Sequence, residues 1–370
     1  MQISSWYRVS NTEQIISPSL LVYPERIEKN IEHMVSMVDD VALLRPHIKT
    51  HKTAEIIKMQ QRHGIQKFKC ATIAEAELLA ICGAEDILLA MPLVGANSDR
   101  FITLMQTFPQ SRFSVLVDNA KTLSKIAAKA KAHQIVVPLW MDVNNGMNRT
   151  GIIPGPEATA LYIQIQNDPN LEAKGLHVYD GHIRNSDFLQ RKEVCDAAFA
   201  TVLELKKDIE SHGGKVTTIV AGGSPSFPVH ALRGSVEAAP GTTLLWDAKY
   251  GSLFPDMQFH QAAVLFTRII SKPSENILCF DIGHKSIAPE MDFPRVAFLN
   301  LPDSEQIGQS EEHLVVSVKD GSRYEVGDAF YAIPMHICPT VAKYETLQVV
   351  EDGKVISEWK VAARNQKITI

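Results

Sequence analysis

A (β/α)8 (TIM) barrel followed by an antiparallel β domain is the fold class the sequence predicts, and three observations predict it. Short apolar runs alternate with amphipathic stretches up to about residue 255. Eight such runs can be counted there, enough to close a ring of strands in preference to an open doubly wound sheet. Past that point the helical stretches stop, and strand-like runs follow one another with turn signals such as Glu351-Asp352-Gly353 between them.

Taken in order, the eight barrel runs are 41–49 (VALLRPHIK), 68–73 (FKCATI), 86–92 (DILLAMP), 113–118 (FSVLVD), 136–143 (VVPLWMDV), 173–180 (AKGLHVYD), 216–222 (VTTIVAG) and 236–241 (VEAAPG). Helical patterns fall between them at 74–83, 98–108, 119–133 and 190–214, the last closing on Gly213-Gly214. The later strand-like runs lie at 261–271, 276–283, 295–301, 313–319, 328–334 and 345–361. The expected organisation is a barrel over 16–255 and a β domain built from 1–15 and 256–370, the first segment adding a strand.

Composition narrows the function classes. The 370 residues are 45% hydrophobic and 21% charged, ordinary values for a globular protein, with a formal net charge of -5. That charge offers no basic field for nucleic acid or anionic lipid. No apolar run approaches the roughly 20 residues that cross a bilayer, and the polar start MQISSWYRVSNTEQ lacks a signal-peptide layout. Five cysteines without repeating spacing suit a reducing compartment, so the expected location is cytoplasmic.

Barrel chemistry gathers where strands end. Lys49 and Thr72 close the first two runs, Asn144 follows the fifth, and Tyr179 and His182 follow the sixth. Gly222-Gly223-Ser224 ends the seventh and Pro240-Gly241-Thr242 the eighth. The densest polar cluster is Arg45-Pro46-His47-Ile48-Lys49-Thr50-His51-Lys52. Neighbouring cations and partial burial favour a neutral lysine, the form that condenses with an aldehyde cofactor. An exposed basic loop is the alternative. The glycines at the ends of the seventh and eighth runs read locally as plain strand-end turns. His336-x-Cys338 can bite one ion, and nitrogen plus sulfur favours zinc. A buried histidine beside a core cysteine is the other reading.

RPHIKTHK resembles the cofactor-lysine motif of the D-threonine aldolase and D-serine dehydratase family, which shares the alanine-racemase-like barrel. SPSLLVYPERIEKNI, MDVNNGMNRTGI, AGGSPSF, EAAPGTTLLWD, SEEHLVV and IPMHICPTV resemble further segments of that family, in order, from about residue 18 to 345. The resemblance implies pyridoxal 5'-phosphate (PLP) held by Lys49 as a Schiff base. It also implies Arg149 near the phenolic oxygen, Tyr179 in the site, and Gly223, Ser224, Gly241 and Thr242 at the phosphate. His336 and Cys338 would hold a divalent metal, zinc by the Cys variant of the motif and manganese as the alternative. His182 is the candidate base or water-orienting group near that ion, and His313 a possible supporting partner. Thr72, Asn144 and Lys52 are pocket candidates without assigned roles.

The implied reaction is retro-aldol cleavage of a D-β-hydroxy amino acid to glycine and an aldehyde. A D-serine-dehydratase-like β-elimination is the alternative, with a racemase or a non-catalytic PLP carrier behind it. A homodimer is expected from the resemblance alone.

Overall fold

The computed structural model describes residues 6–370. It divides into two compact units, a barrel and a β-rich unit. The chain's first strand, β1 (Ser19–Val22), belongs to the β-rich unit.

The barrel unit comprises His33–Lys49, Ile57–Gly241 and Asn365–Ile370. Its parallel strands run in chain order: β2 (Lys67–Cys70), β3 (Asp86–Pro92), β4 (Arg112–Val117), β5 (Val137–Val143), β6 (Leu171–Val178), β7 (Ile219–Ala221) and β8 (Glu237–Ala238). These match seven of the eight expected runs. Helices Ile73–Ile81, Asn97–Thr107, Ala120–Ala132 and Phe188–Ser211 form where the amphipathic patterns fall, with Pro156–Asn167 between β5 and β6.

The first expected strand, 41–49, is not a continuous one. Single helical turns at Val41–Leu43 and Ile48–Thr50 flank a short stave. Single parallel bridges join Leu44 to Ala238 and His47 to Lys69. Arg45 N donates to Ala238 O, His47 N to Pro240 O and Lys69 N to Pro46 O, at 2.7–2.9 Å. The stave therefore closes the ring between β8 and β2. Its brevity has local causes: the Asp40 carboxylate accepts from Ala42 N and starts a turn, while Pro46 has no N–H for a ladder. Ion pairs reinforce the closure. Arg45, 1% exposed, bonds Glu237 on β8 and Asp86 on β3, both at 2.6 Å, and Lys67 on β2 reaches Glu237 at 2.5 Å. Buried charges survive only when paired in this way. Trp140, Leu88, Leu116, Val220 and Ala239 pack together above them, with Trp140 Nε1 donating to Ser114 Oγ at 3.0 Å.

The β-rich unit comprises residues 6–32, Thr50–Ile56 and Thr242–Arg364. Its further strands are β9 (Ala263–Ser274), β10 (Ile277–Phe280), β11 (Val296–Phe298), β12 (Ser304–Gln309), β13 (Leu314–Val318), β14 (Ala329–Pro334), β15 (Thr346–Glu351) and β16 (Lys354–Lys360). They pair in the order β12-β13-β10-β9-β1-β15-β16, with β14 between β9 and β11. Among the described residues of this unit, every strand pair is antiparallel except β1 with β15. The N-terminal strand lies at Ser19–Val22, past the 1–15 segment expected to supply it. β12 was not anticipated: as an edge strand of polar sequence SEQIGQ it buries too little to leave an apolar signature. The β15–β16 hairpin turns at Asp352 (φ 46°) and Gly353 (φ 68°), the paired left-handed residues a tight hairpin requires. Tyr7, Tyr23, Val264, Phe266, Tyr331 and Ile333 form the core of this unit. No helix among the described residues is long and apolar enough to cross a membrane.

Candidate active site

In the barrel unit, Tyr179 follows β6 and organises its surroundings. Three cationic groups converge on its ring: Lys49 Nζ at 5.7 Å, Lys69 Nζ at 5.9 Å and Arg149 Cζ at 4.5 Å from the centroid. An aromatic face attracts cations, yet three of them around one ring leave excess positive charge. Lys69 answers that charge. It is 2% exposed, and burial, then the Lys49 ammonium, push its amine down to about 7. Lys69 Nζ lies 3.4 Å from His177 Nε2, and His177 Nδ1 lies 2.7 Å from Asp142 Oδ1. Burial and then Lys69 lower the His177 pKa, so a neutral imidazole sits between a lysine and a carboxylate.

The other cations of the 45–52 cluster do not crowd Lys49 as expected. Arg45 is spent on Glu237 and Asp86, and His51 is buried and held at about 3 by burial and then Lys52. Lys52 Nζ reaches Ala363 O at 3.5 Å. The amine that responds to Lys49 is Lys69, which sequence reasoning missed. Its signal was a lone lysine inside an otherwise apolar strand, FKCATI.

Two glycines make room for the Tyr179 ring. A Cβ at Gly223 would stand 2.9 Å from Tyr179 Cε2, and one at Gly181 2.4 Å from Tyr179 Oη. The loop after β7 is tied to the end of β8, since Gly241 N donates to Ser224 Oγ at 3.1 Å. Ser224 is 6% exposed. Gly223 and Gly241 thus direct their N–H groups at Ser226 and Ser224 hydroxyls, at 3.2 and 3.1 Å. Their contribution to an anion site is open space and loop shape. A cradle shaped by absent side chains and ringed by cations fits an aromatic ligand bearing a phosphate.

In the β-rich unit, β14 ends at Pro334 and His336 opens the short helix Ile337–Val341. The His-x-Cys pair therefore sits on a helical turn, where an extended segment was expected. The two side chains still interact, each shifting the other's pKa. Burial would lower the His336 pKa, but Cys338, Glu290 and Asp247 outweigh it and raise it to about 9. Burial would raise the Cys338 thiol, but His336 outweighs it and lowers it. Thr50 Oγ1 and Thr242 Oγ1 approach Cys338 Sγ at 3.1 and 3.5 Å, and His336 Nδ1 meets Glu290. Asp247, 2% exposed, accepts from Ile337 N at 3.2 Å and is pushed up to about 6 by burial. An imidazole and a thiol converging among oxygens fit one divalent ion. Thr242 here touches Cys338, a contact its expected phosphate role did not foresee.

Other expected residues take quieter places. Exposed His182 packs its ring over Gly146, where a Cβ would come within 2.9 Å of Nε2. His313 is exposed in the turn between β12 and β13. Thr72 caps helix Ile73–Ile81, its Oγ1 accepting from Glu75 N at 3.1 Å. Asn144 Oδ1 accepts from Gly146 N and Asn148 N and shapes its own loop. Further from view, Asp180, Cys195 and His230 place three possible metal donors within 4.8 Å of one another, all buried.

Comparison with known proteins gives this geometry a lineage. The chain is 29% identical over 360 residues to a D-threonine aldolase from an Arthrobacter species, across 95% of this chain and 93% of that one. It is 27% identical over 365 residues to a 3-hydroxy-D-aspartate aldolase of Paracoccus denitrificans (strain Pd 1222), with the same coverage. Its fold is that of the crystal structure of D-threonine aldolase from Filomicrobium marinum, at a TM-score of 0.87 and 23% identity, covering 96% of this chain and 97% of that one. A family model described as "Putative serine dehydratase domain" matches residues 262–350. Residues 22–248, more than half of the chain, match the model of the alanine racemase N-terminal domain, and the chain belongs to that family.

Proposed function

We propose that this chain is a PLP- and divalent-metal-dependent lyase that cleaves D-β-hydroxy amino acids by retro-aldol reaction, giving glycine and an aldehyde. The observation that carries this reading is the convergence of Lys49, Lys69 and Arg149 on the Tyr179 ring. Lys49 would hold the cofactor's aldehyde carbon, Arg149 would face its phenolic oxygen, and Tyr179 would pack against its ring. Gly223, Ser224, Gly241 and Thr242 would enclose the phosphate. Bound there, PLP supplies the electron sink for bond breaking at Cα. His336 and Cys338 would hold the ion, most simply zinc given nitrogen and sulfur donors, with manganese the other candidate. Two protein donors leave coordination positions open, where such an ion polarises a substrate hydroxyl. His182 is the proposed acceptor of the β-hydroxyl proton. Two relatives named as aldolases of D-configured hydroxy amino acids support the substrate class.

One observation favours a second reading. The thiol of Cys338 and the serine dehydratase model over residues 262–350 point towards β-elimination. There Lys49 would take the Cα proton, releasing ammonia and a 2-keto acid. Product identification from D-threonine and D-serine, with PLP and zinc or manganese, decides. Glycine with acetaldehyde supports cleavage; a keto acid with ammonia overturns it in favour of elimination; neither product removes the lyase reading.

A homodimer and a cytoplasmic location belong to the same proposal. The first follows the family resemblance, and sedimentation analysis tests it. The second is supported by five free thiols, which suit a reducing compartment.

A further inference from the structure

Beneath the loop after β7 runs a chain of buried polar groups that the proposed reaction does not use. Gly223 N donates to Ser226 Oγ at 3.2 Å, and Ser226 Oγ donates to Asp180 Oδ1 at 2.6 Å. The other oxygen, Asp180 Oδ2, lies 2.7 Å from His230 Nε2. Arg233 Nε donates to His230 Nδ1 at 3.2 Å, and Arg233 Nη2 donates to Asp196 Oδ1 at 2.7 Å. Asp180, Ser226 and His230 are each at most 2% exposed.

The direction of each bond follows from its neighbours. Because Arg233 can only donate, His230 Nδ1 accepts, so Nε2 carries the proton and donates to Asp180. With both oxygens of its carboxylate accepting, Asp180 takes the single Ser226 proton. Ser226 is then left with lone pairs only, and it accepts the Gly223 N–H. The orientation of the 222–223 peptide is thereby fixed from below. Gly222, at φ +85°, presses on the same groups: a Cβ there would stand 2.7 Å from His230 Cδ2 and 2.9 Å from Ser226 Oγ.

We propose that Asp180, Ser226 and His230 are positioning residues that hold the Gly222–Ser224 loop in the shape that receives the cofactor's phosphate. This rests on the PLP reading above. An ion at Asp180, Cys195 and His230 is the competing use of the cluster. Arg233 argues against it, since its guanidinium sits 3.8 Å from Cys195 Sγ and on His230 Nδ1. The geometry already satisfies every donor without a metal. Burial, then Asp180, also push the Cys195 thiol up to about 12, away from the thiolate an ion requires.

The test compares PLP with pyridoxal, which lacks the phosphate, by fluorescence titration of cofactor-stripped protein. Ser226→Ala and His230→Gln should each raise the Kd for PLP about tenfold, the value of one hydrogen bond to a charged group. Their Kd for pyridoxal should stay within about twofold of wild type, and Ser226→Thr, which keeps the hydroxyl, should restore PLP affinity. Equal weakening towards both ligands, or no change towards either, overturns the relay. Stoichiometric metal in the wild type that His230→Gln removes overturns it in favour of an ion site. A wild type that does not prefer PLP over pyridoxal instead defeats the phosphate site itself, independently of the relay.

Discussion

Tyr179 and Asp180 are consecutive residues, yet they belong to polar clusters of opposite character. Around Tyr179 stand three cations, one of them a buried lysine held near neutrality. Around Asp180 a carboxylate, an imidazole and a hydroxyl are matched donor to acceptor. Burial would raise the Asp180 pKa, but His230 and Ser226 outweigh it and hold it below the usual carboxylate range. Unrelieved like charge is costly to folding and useful to a site that must bind an anion. Full satisfaction is the mark of a scaffold. One turn of chain beyond a strand thus separates chemistry from support.

Substitutions can break or sharpen that contrast. The largest effect is expected for Lys49→Ala, which should cost on the order of a thousandfold or more in kcat/KM while leaving the melting temperature nearly unchanged. A large fall in Tm would mean that Lys49 belongs to the scaffold. Asp180→Ala should do the reverse first, destabilising the fold by about 3 kcal/mol in urea unfolding, because His230 and Ser226 lose their common acceptor. A loss under about 1 kcal/mol would contradict the scaffold role.

Lys69→Met should stabilise the cofactor-free protein, by about 2 kcal/mol at pH 6 once the lost His177 contact is allowed for. Burial and Lys49 hold Lys69 at about 7 in the folded chain, against 10.5 for a free lysine. Between those values the unfolded state binds the extra proton, so wild-type stability rises with pH across that window. Below pH 7 the whole penalty of a charged buried amine is present, and by about pH 10.5 it has gone. The gain should therefore shrink steadily in thermal scans from pH 6 to pH 10. A gain independent of pH would place its origin in packing. The smallest effect is Thr72→Ala, about 1 kcal/mol from a lost helix cap, with activity retained. Lost activity would return Thr72 to the pocket.

Much of this was legible in the chain. Seven barrel strands announce themselves because most of their residues are buried and each falls in a short, mainly apolar run. The 41–49 segment misled because it closes the ring by single bridges around Pro46, so its apolar residues imitate a strand that its backbone does not complete. β12 escaped because an edge strand needs no apolar face. Among the candidate site residues, Lys49, Tyr179 and Arg149 were named by position and resemblance, and the structure brings Lys49 and Arg149 to the Tyr179 ring. Lys69 was hidden inside an apolar run. Asp180, Ser226 and His230 were hidden because their meaning lies in pairings across 46 and 50 positions, which no local pattern carries.

The central claim is that Lys49 is the amine that takes the cofactor. Sodium borohydride treatment of the PLP-loaded protein, followed by proteolysis and mass spectrometry, tests it most directly. The account predicts a reduced pyridoxyl phosphate adduct on the peptide carrying Lys49, absent from Lys49→Ala. An adduct on Lys69, or none on any lysine, would contradict it.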